Sequence, residues 1–299
     1  MSAPGCWQQM SRQPTGWLNE SCGLPGWCGG PGTTAVHILL LRWVLKENGQ
    51  MTEIMQLRCI HCGKPVDETT KDHVFPTSWY PETTPEETRR WTAPSCGECN
   101  NSLGSMEKKV LSRLILCVDP QKPEAAGLYA KLKRSLGVGV DDLSKEEAAH
   151  RQKQKLGLIA AIKRHDPASN ASILPGLGSH TGFRDEDLPQ IRIPGDLLLK
   201  VYEKIVRGCE YVLAGRFVEE PYSVQIYFVH DHNIPEDLAR GLEGPAAEDV
   251  HLGPGFRVVR VAAHDDPYAV AYKITLWSSA YFFAFIMNHS QAEAAPPAN

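Results

Sequence analysis

The sequence predicts an α+β chain built from a small cysteine-rich module, a basic helical connector and a C-terminal α+β domain. Three observations predict it. Two Cys-x-x-Cys pairs, Cys59/Cys62 and Cys96/Cys99, bracket a polar stretch too short to bury a core of its own. Residues 121–165 hold ten Lys/Arg against five Asp/Glu and contain a helix-start signature. Residues 191–290 read as one long amphipathic helix followed by strand-like apolar runs. A length of 299 residues agrees with roughly two domains. With 42% hydrophobic and 22% charged residues, wholesale disorder is excluded. A net charge of −4 excludes a strongly basic coat but leaves room for a local basic patch. The longest apolar run, 280–287, falls well short of the ~20 residues of a membrane helix. No charged leader with a cleavage site is read at the start. The expectation is therefore a cytoplasmic protein with reduced thiols and no membrane partner.

Taken in order, residues 1–50 are expected to be a disordered extension or a start-site artefact, with a genuine N-terminal arm as the alternative. They mix Trp, Cys, Gly and Pro without period, apart from a short helix expected at 36–47. The module, 51–120, holds eight Lys/Arg against ten Asp/Glu, so basic charge sits beside it and not in it. It closes in a helix carrying Leu103, Met106, Val110, Leu114 and Cys117 at three- and four-residue spacing, stopped by Asp119-Pro120. The connector, 121–190, contains Ser144-Lys145-Glu146-Glu147, a capping box that should start a helix running to about 164. Residues 166–190, rich in Gly, Pro and Ser, read as loop. In the last domain Pro194-Gly195-Asp196 opens a helix with Leu197, Leu198, Val201, Ile205, Val206, Cys209, Val212 and Leu213 on a wide stripe. Strands are expected at 222–229, 256–262 and 269–277, and 281–287 is open between strand and helix. The Ala/Pro-rich tail, 291–299, is expected to be disordered.

The four paired cysteines predict a structural Zn²⁺ site. Each pair forms a knuckle offering two thiolates, and two knuckles complete a closed tetrahedron. Gly63 and Gly97 lie where knuckles often need unusual backbone angles. Between the pairs stands Lys71-Asp72-His73-Val74-Phe75-Pro76, and Asn100-Asn101 follows the last cysteine.

Cys-Ile-His-Cys-Gly (59–63), Asp-His-Val-Phe-Pro (72–76) and Cys-Gly-Glu-Cys-Asn (96–100) together resemble the HNH, or His-Me finger, endonuclease family. The resemblance covers about a fifth of the chain and is closest to zinc-braced members such as phage junction-resolving endonucleases. It implies a ββα-metal module: a β-hairpin and a helix holding one catalytic Mg²⁺ or Mn²⁺, braced by the four-cysteine zinc. It further implies a hydrolase that cuts DNA, with His73 as general base and Asp72 and Asn100 on the catalytic metal. The chemistry suits each role. A neutral imidazole takes a proton from water near physiological pH, hard cations prefer oxygen ligands, and a metal with open positions polarises the scissile phosphate. Adjacent Asp72 and His73 point to opposite faces of a regular strand, so a hairpin end or bulge is needed to bring both to one site. The sequence departs from the family pattern at Trp91, where many members carry an Asn, and at Leu103, where many carry a Lys.

Other residues have two readings each. Glu107, two turns beyond Asn100, is an additional metal ligand or a solvated helix carboxylate. Lys108, Lys109, Arg113, Arg89 and Arg90 are phosphate contacts for DNA binding or solvated charge. His61 is more simply a neighbour of zinc than a ligand. His230-Asp231-His232 reads as a polar turn before a metal pair. Trp79, Tyr80 and Trp91 pack over the loop or stack on bases. A catalytically silent zinc-binding module recognising nucleic acid or protein is the alternative function, and a Cys-x-x-Cys redox protein a weaker third. The sequence does not separate DNA from RNA, and it is compatible with a homo-oligomer.

Overall fold

The computed structural model of the chain describes residues 41–45, 51–55, 57–138, 143–163, 174, 177 and 190–288. Expectations for 1–35, for most of the 166–190 loop and for the 291–299 tail lie outside these residues. The architecture is α+β. No described helix is long and apolar enough to cross a membrane.

The helix expected at 36–47 is corrected. Strand β1, Leu41–Leu45, pairs antiparallel with β2, Met51–Met55, with Leu41 opposite Met55. Trp43 and Val44 favour extended backbone.

The cysteine module is a hairpin followed by a helix. Strand β3, Thr70–His73, pairs antiparallel with β4, Thr92–Ser95, placing Asp72 opposite Ala93 and His73 opposite Thr92. Helix α1, Gly97–Leu114, starts at once, capped by the Cys96 sulfur, which accepts the Cys99 N–H. Its inward stripe is Glu107, Val110, Leu111 and Leu114. A 3-10 turn, Ile115–Cys117, ends it before Asp119-Pro120, where the sequence places the stop.

In the connector, α2 (Leu128–Ser135) is a short helix that the sequence reading did not foresee, because only Leu128 and Leu132 mark its buried side. Helix α3, Lys145–Ala161, carries the expected capping box: Ser144 Oγ accepts from Glu147 N–H at 3.2 Å, and Ser144 N–H donates back to the Glu147 carboxylate. Two short strands, β5 (Ile162–Lys163) and β6 (Gln190–Ile191), pair antiparallel.

The C-terminal region holds α4 (Gly195–Ala214), β7 (Tyr222–Tyr227), α5 (Glu236–Glu243), β8 (Glu248–His251), β9 (Arg257–Ala262), β10 (Val270–Leu276) and β11 (Ala280–Asn288). The last five strands form one antiparallel sheet in the order β7-β11-β10-β9-β8. The apolar run at 281–287 is thus a strand. It looks continuous in sequence because both faces of the sheet are covered. Phe282, Ala284, Tyr272, Ile274 and Val258 join the main core, whereas Phe283, Ala271, Val259 and Val261 pack with Leu238 and Leu242 of α5. The strand β8 has only one apolar residue, and it stands at the sheet edge, where one is enough. His230-Asp231-His232 leads into a 3-10 turn, Asp231–Asn233, in which Asp231 pairs with Lys273 at 2.7 Å.

The main core runs without a break from the cysteine module into this sheet. The loop after β3 is the plug. Phe75 meets Phe256 edge-on at 5.1 Å, Tyr80 lies 4.8 Å from the same ring, and Trp79 lies 5.6 Å from Trp277. The Trp277 indole donates to the Trp79 carbonyl at 2.7 Å. Trp277 and Ser278 turn the β10–β11 hairpin with φ of 55° and 47°, a conformation costly for side-chain-bearing residues. Full burial of Trp277 offsets that cost.

Helix α4 crosses close to the module at Gly208. A Cβ there would lie 2.7 Å from a Val74 methyl, inside contact distance. Gly208→Ala is expected to cost about 1–3 kcal/mol through overpacking, read as a lowered urea midpoint. Gly157→Ala, in α3, meets nothing within 4 Å and is expected to stabilise by up to about 1 kcal/mol through helix propensity.

Candidate functional site

The first knuckle is shaped by backbone bonds. Gly63 N–H donates to Cys59 C=O at 2.9 Å, and Cys59 N–H to Lys64 C=O at 3.1 Å. Gly63 takes a φ of 68°, which a Cβ would disfavour. Arg58 folds back onto the Gly63 carbonyl with two nitrogens, at 3.1 and 3.0 Å. Ile60 N–H then ties the knuckle to Pro94 C=O on β4, at 2.9 Å. The second knuckle is the start of α1.

These constraints bring one sulfur each from Cys59, Cys62, Cys96 and Cys99 within 4.8 Å of one another. A tetrahedron with Zn–S near ~2.3 Å has sulfurs just under ~4 Å apart, so the four thiols fit one zinc ion. Burial opposes ionisation of Cys59, but backbone N–H groups of Cys62, Cys96 and His61 outweigh it and bring the thiol down to about 6. Burial, and the charge of Cys59, push Cys62 and Cys99 up. One thiolate therefore forms readily, and a cation among the four relieves the others. The six described cysteines are all free, with Cys117 and Cys209 apart from the cluster.

On the hairpin, alternation holds to the end of β3. Thr70 and Asp72 face α1. The Asn100 amide donates to Thr70 Oγ1 at 2.9 Å, and that hydroxyl donates to Ser95 C=O at 3.0 Å. Asp72 is 7% exposed, with Oδ2 2.8 Å from His61 Nε2 and Oδ1 3.0 Å from Lys204 Nζ. Lys204, on α4 and 2% exposed, also donates to the Glu107 carboxylate and, at 2.6 Å, to the His73 backbone carbonyl. Burial would raise Asp72, but His61 and Lys204 hold it below the ordinary carboxylate value. Burial wins at Glu107, which is pushed up in spite of Lys204.

His73 occupies the other side of the strand and is half-buried, with Nδ1 shielded from solvent and without a hydrogen-bond partner among the described residues. Burial first, then the charge of Arg90, lower its pKa, so the imidazole is neutral at physiological pH. Trp91 is a packed core residue whose carbonyl accepts from Val74 N–H at 2.9 Å.

The structure thus sorts the sequence candidates. Asp72, Glu107 and His61 come together around Lys204 in one hydrogen-bonded network, Asn100 sits at the strand's start beside Thr70, and His73 stands across the strand: the β3–β4 pairing is regular through His73, so the expected bulge that would bring it to Asp72's side is absent. The solvated reading of Glu107 is corrected: it is 9% exposed and paired, because it falls on the inward stripe of α1. Lys108, Lys109 and Arg89 are exposed. Arg90 lies over the Tyr80 ring at 5.3 Å, and Arg113 donates to the Lys109 and Arg192 carbonyls. Trp79 and Tyr80 are buried, as packing requires. Sequence reasoning missed Lys204. Its signal was a charge placed between Val201 and Ile205, on the apolar stripe of α4.

The oxygens around Lys204 are of the kind a hard cation takes: two carboxylates and a backbone carbonyl. Asp72 is therefore chemically fit to hold a divalent ion, but an ammonium stands among its oxygens in this structure.

No family model matches the chain, and neither a curated protein nor a solved structure matches it.

Proposed function

We propose that the cysteine module is a zinc-braced, metal-dependent HNH-type endonuclease that hydrolyses DNA phosphodiester bonds, with His73 as general base. One observation carries this reading. A four-thiol cluster pins a hairpin to a helix, with Asp-His at the end of the first strand and Asn in the helix's first turn. A zinc brace by itself needs neither a half-buried imidazole of lowered pKa nor the Asp72 network.

His73 takes a proton from water, the water oxygen attacks phosphorus, and the bond from phosphorus to the 3′ oxygen breaks. That oxygen leaves with a proton from solvent. A general base of this kind is worth about 10²–10⁴ in rate. Lys108, Lys109 and Arg89, all exposed, would meet backbone phosphates in this reading. Mg²⁺ or Mn²⁺, when bound, would polarise the phosphoryl oxygen; Asp72 would hold it, Asn100 is the further ligand that the resemblance implies, and His73, the last residue of β3, would turn at the strand end to meet the same phosphate.

The test is plasmid nicking by the zinc-loaded full chain with Mg²⁺ or Mn²⁺, wild type beside His73→Ala. The expected result is cutting that falls at least about a hundredfold in the variant, with one zinc retained per chain. The second reading, a zinc module that binds nucleic acid or protein without cutting it, is favoured by the commitment of both Asp72 oxygens to His61 and Lys204. Wild type that holds zinc but cuts neither plasmid nor single strands would decide for it.

A further inference from the structure

We propose that Lys204 is a tethered cation that competes with a divalent metal for one site, formed by Asp72, Glu107 and the His73 carbonyl. The competition follows from geometry. The ammonium lies 3.0 Å from Asp72 Oδ1 and 2.6 Å from the His73 carbonyl oxygen, and it binds the Glu107 carboxylate. A divalent ion on the same oxygens would sit at metal–oxygen distances of about 2.0–2.6 Å. Its centre would then stand within a few ångströms of the ammonium, where like charges repel strongly in a site shielded from water. The site holds one or the other.

Three features show that the ammonium is built in and not incidental. Lys204 is 2% exposed, so its charge has no recourse to solvent. A buried lysine is costly unless paired and hydrogen-bonded, and here three donors of one –NH₃⁺ meet three oxygens. The lysine also comes from α4, which packs on α1 and closes on the module at Gly208, so the fold delivers its tethered ammonium to the site. His61 Nε2, 2.8 Å from Asp72 Oδ2, faces the network from the zinc knuckle. Cation occupancy of the module is in this way set by the C-terminal region.

The competition rests on oxygens and an ammonium and not on cleavage, so its readout is cation binding. Mn²⁺ would be titrated into zinc-loaded full-length protein and free Mn²⁺ followed by electron paramagnetic resonance. Lys204→Met is expected to bind one Mn²⁺ per chain at least about a hundredfold more tightly than wild type. Adding Glu107→Gln to that variant should abolish the gain. Wild type that already binds Mn²⁺ as tightly as Lys204→Met, with loss of the site in Asp72→Asn, would overturn the proposal. So would Lys204→Met that folds but binds no Mn²⁺. If Lys204→Met melts at a much lower temperature, recovery of its melting temperature by Mn²⁺ but not by Na⁺ supports the competition, and absence of recovery refutes it. Plasmid nicking that fails in wild type leaves each of these outcomes readable.

Discussion

Cys59→Ser is expected to empty the zinc site and lower the melting temperature of the whole chain by about 10 °C or more. The four sulfurs converge from two knuckles 33 residues apart in sequence, and no other described element joins those knuckles by covalent or metal bonds. Zinc binding by such sites is worth roughly 10–16 kcal/mol in isolated fingers, and it is expressed as folding free energy. Cys59 is the ligand with most to lose. Its sulfur is fully buried, and the N–H groups of Cys62, Cys96 and His61 favour its thiolate. A serine hydroxyl does not ionise there, so three thiols are left around a vacated position. Because the module shares its core with the C-terminal sheet, the loss spreads beyond the loop. Calorimetry paired with zinc analysis checks this, with Cys117→Ser as the control off the cluster. A Cys59→Ser protein that keeps one zinc and its melting temperature would refute the brace.

Arg260→Met is expected to cost about 3–5 kcal/mol near neutral pH. Glu210 is 1% exposed and receives two Arg260 nitrogens, at 3.0 and 3.1 Å, together with Arg216 and the Tyr272 hydroxyl. Breaking a buried pair leaves an uncompensated charge, which is worse than never having had the pair. Burial alone would raise the Glu210 pKa. Arg260, by hydrogen bond and charge, then Arg216, outweigh burial and hold it below the ordinary glutamate value. A carboxyl depressed by folding adds stability above its unfolded pKa of about 4.3, and that stability drains as pH falls through the lower folded value. Without Arg260 burial gains ground, the pKa rises, and protonation relieves the defect. The deficit of Arg260→Met should therefore shrink between pH 7 and pH 4, and Glu210→Gln should restore part of it. Urea unfolding at several pH values reads both. A deficit under about 1 kcal/mol that ignores pH would mean that the pair does not hold the sheet to α4.

What the sequence made legible follows from how local each signal is. Cysteine spacing names four ligands without any knowledge of the fold between them, and the capping box at Ser144 is complete within four residues. The long stripe of α4 and the runs of β9 and β10 are equally local. Lys204, Glu107 and Glu210 are not. Each falls on an apolar stripe, where a charge reads as an interruption, and each acquires meaning only from a partner 97 or 50 residues away. The same holds for Trp91. A missing Asn in a family pattern reads as a lost catalytic aid, while in the fold the indole fills core. The helix expected at 36–47 failed for the opposite reason: a short apolar run reads as helix or strand alike, and the pairing partner β2 decides between them.

The Trp79–Trp277 contact spans 198 residues of chain, and that span sets a clock on biosynthesis. The ribosome releases all four thiols once residue 99 has emerged, so metal can be captured early. Lys204 and Trp277 follow later, the latter after a further 178 residues by the numbering, which at roughly 5–20 residues per second takes about ten to thirty-five seconds. Until the later strands arrive the plug of Phe75, Trp79 and Tyr80 has no sheet to enter, and for the first 105 residues of that interval, up to Lys204, Asp72 and Glu107 have no lysine. The nascent module is first more open to divalent ions than the finished protein, until α4 brings Lys204, and it stays stickier for longer, until the β10–β11 hairpin brings Trp277.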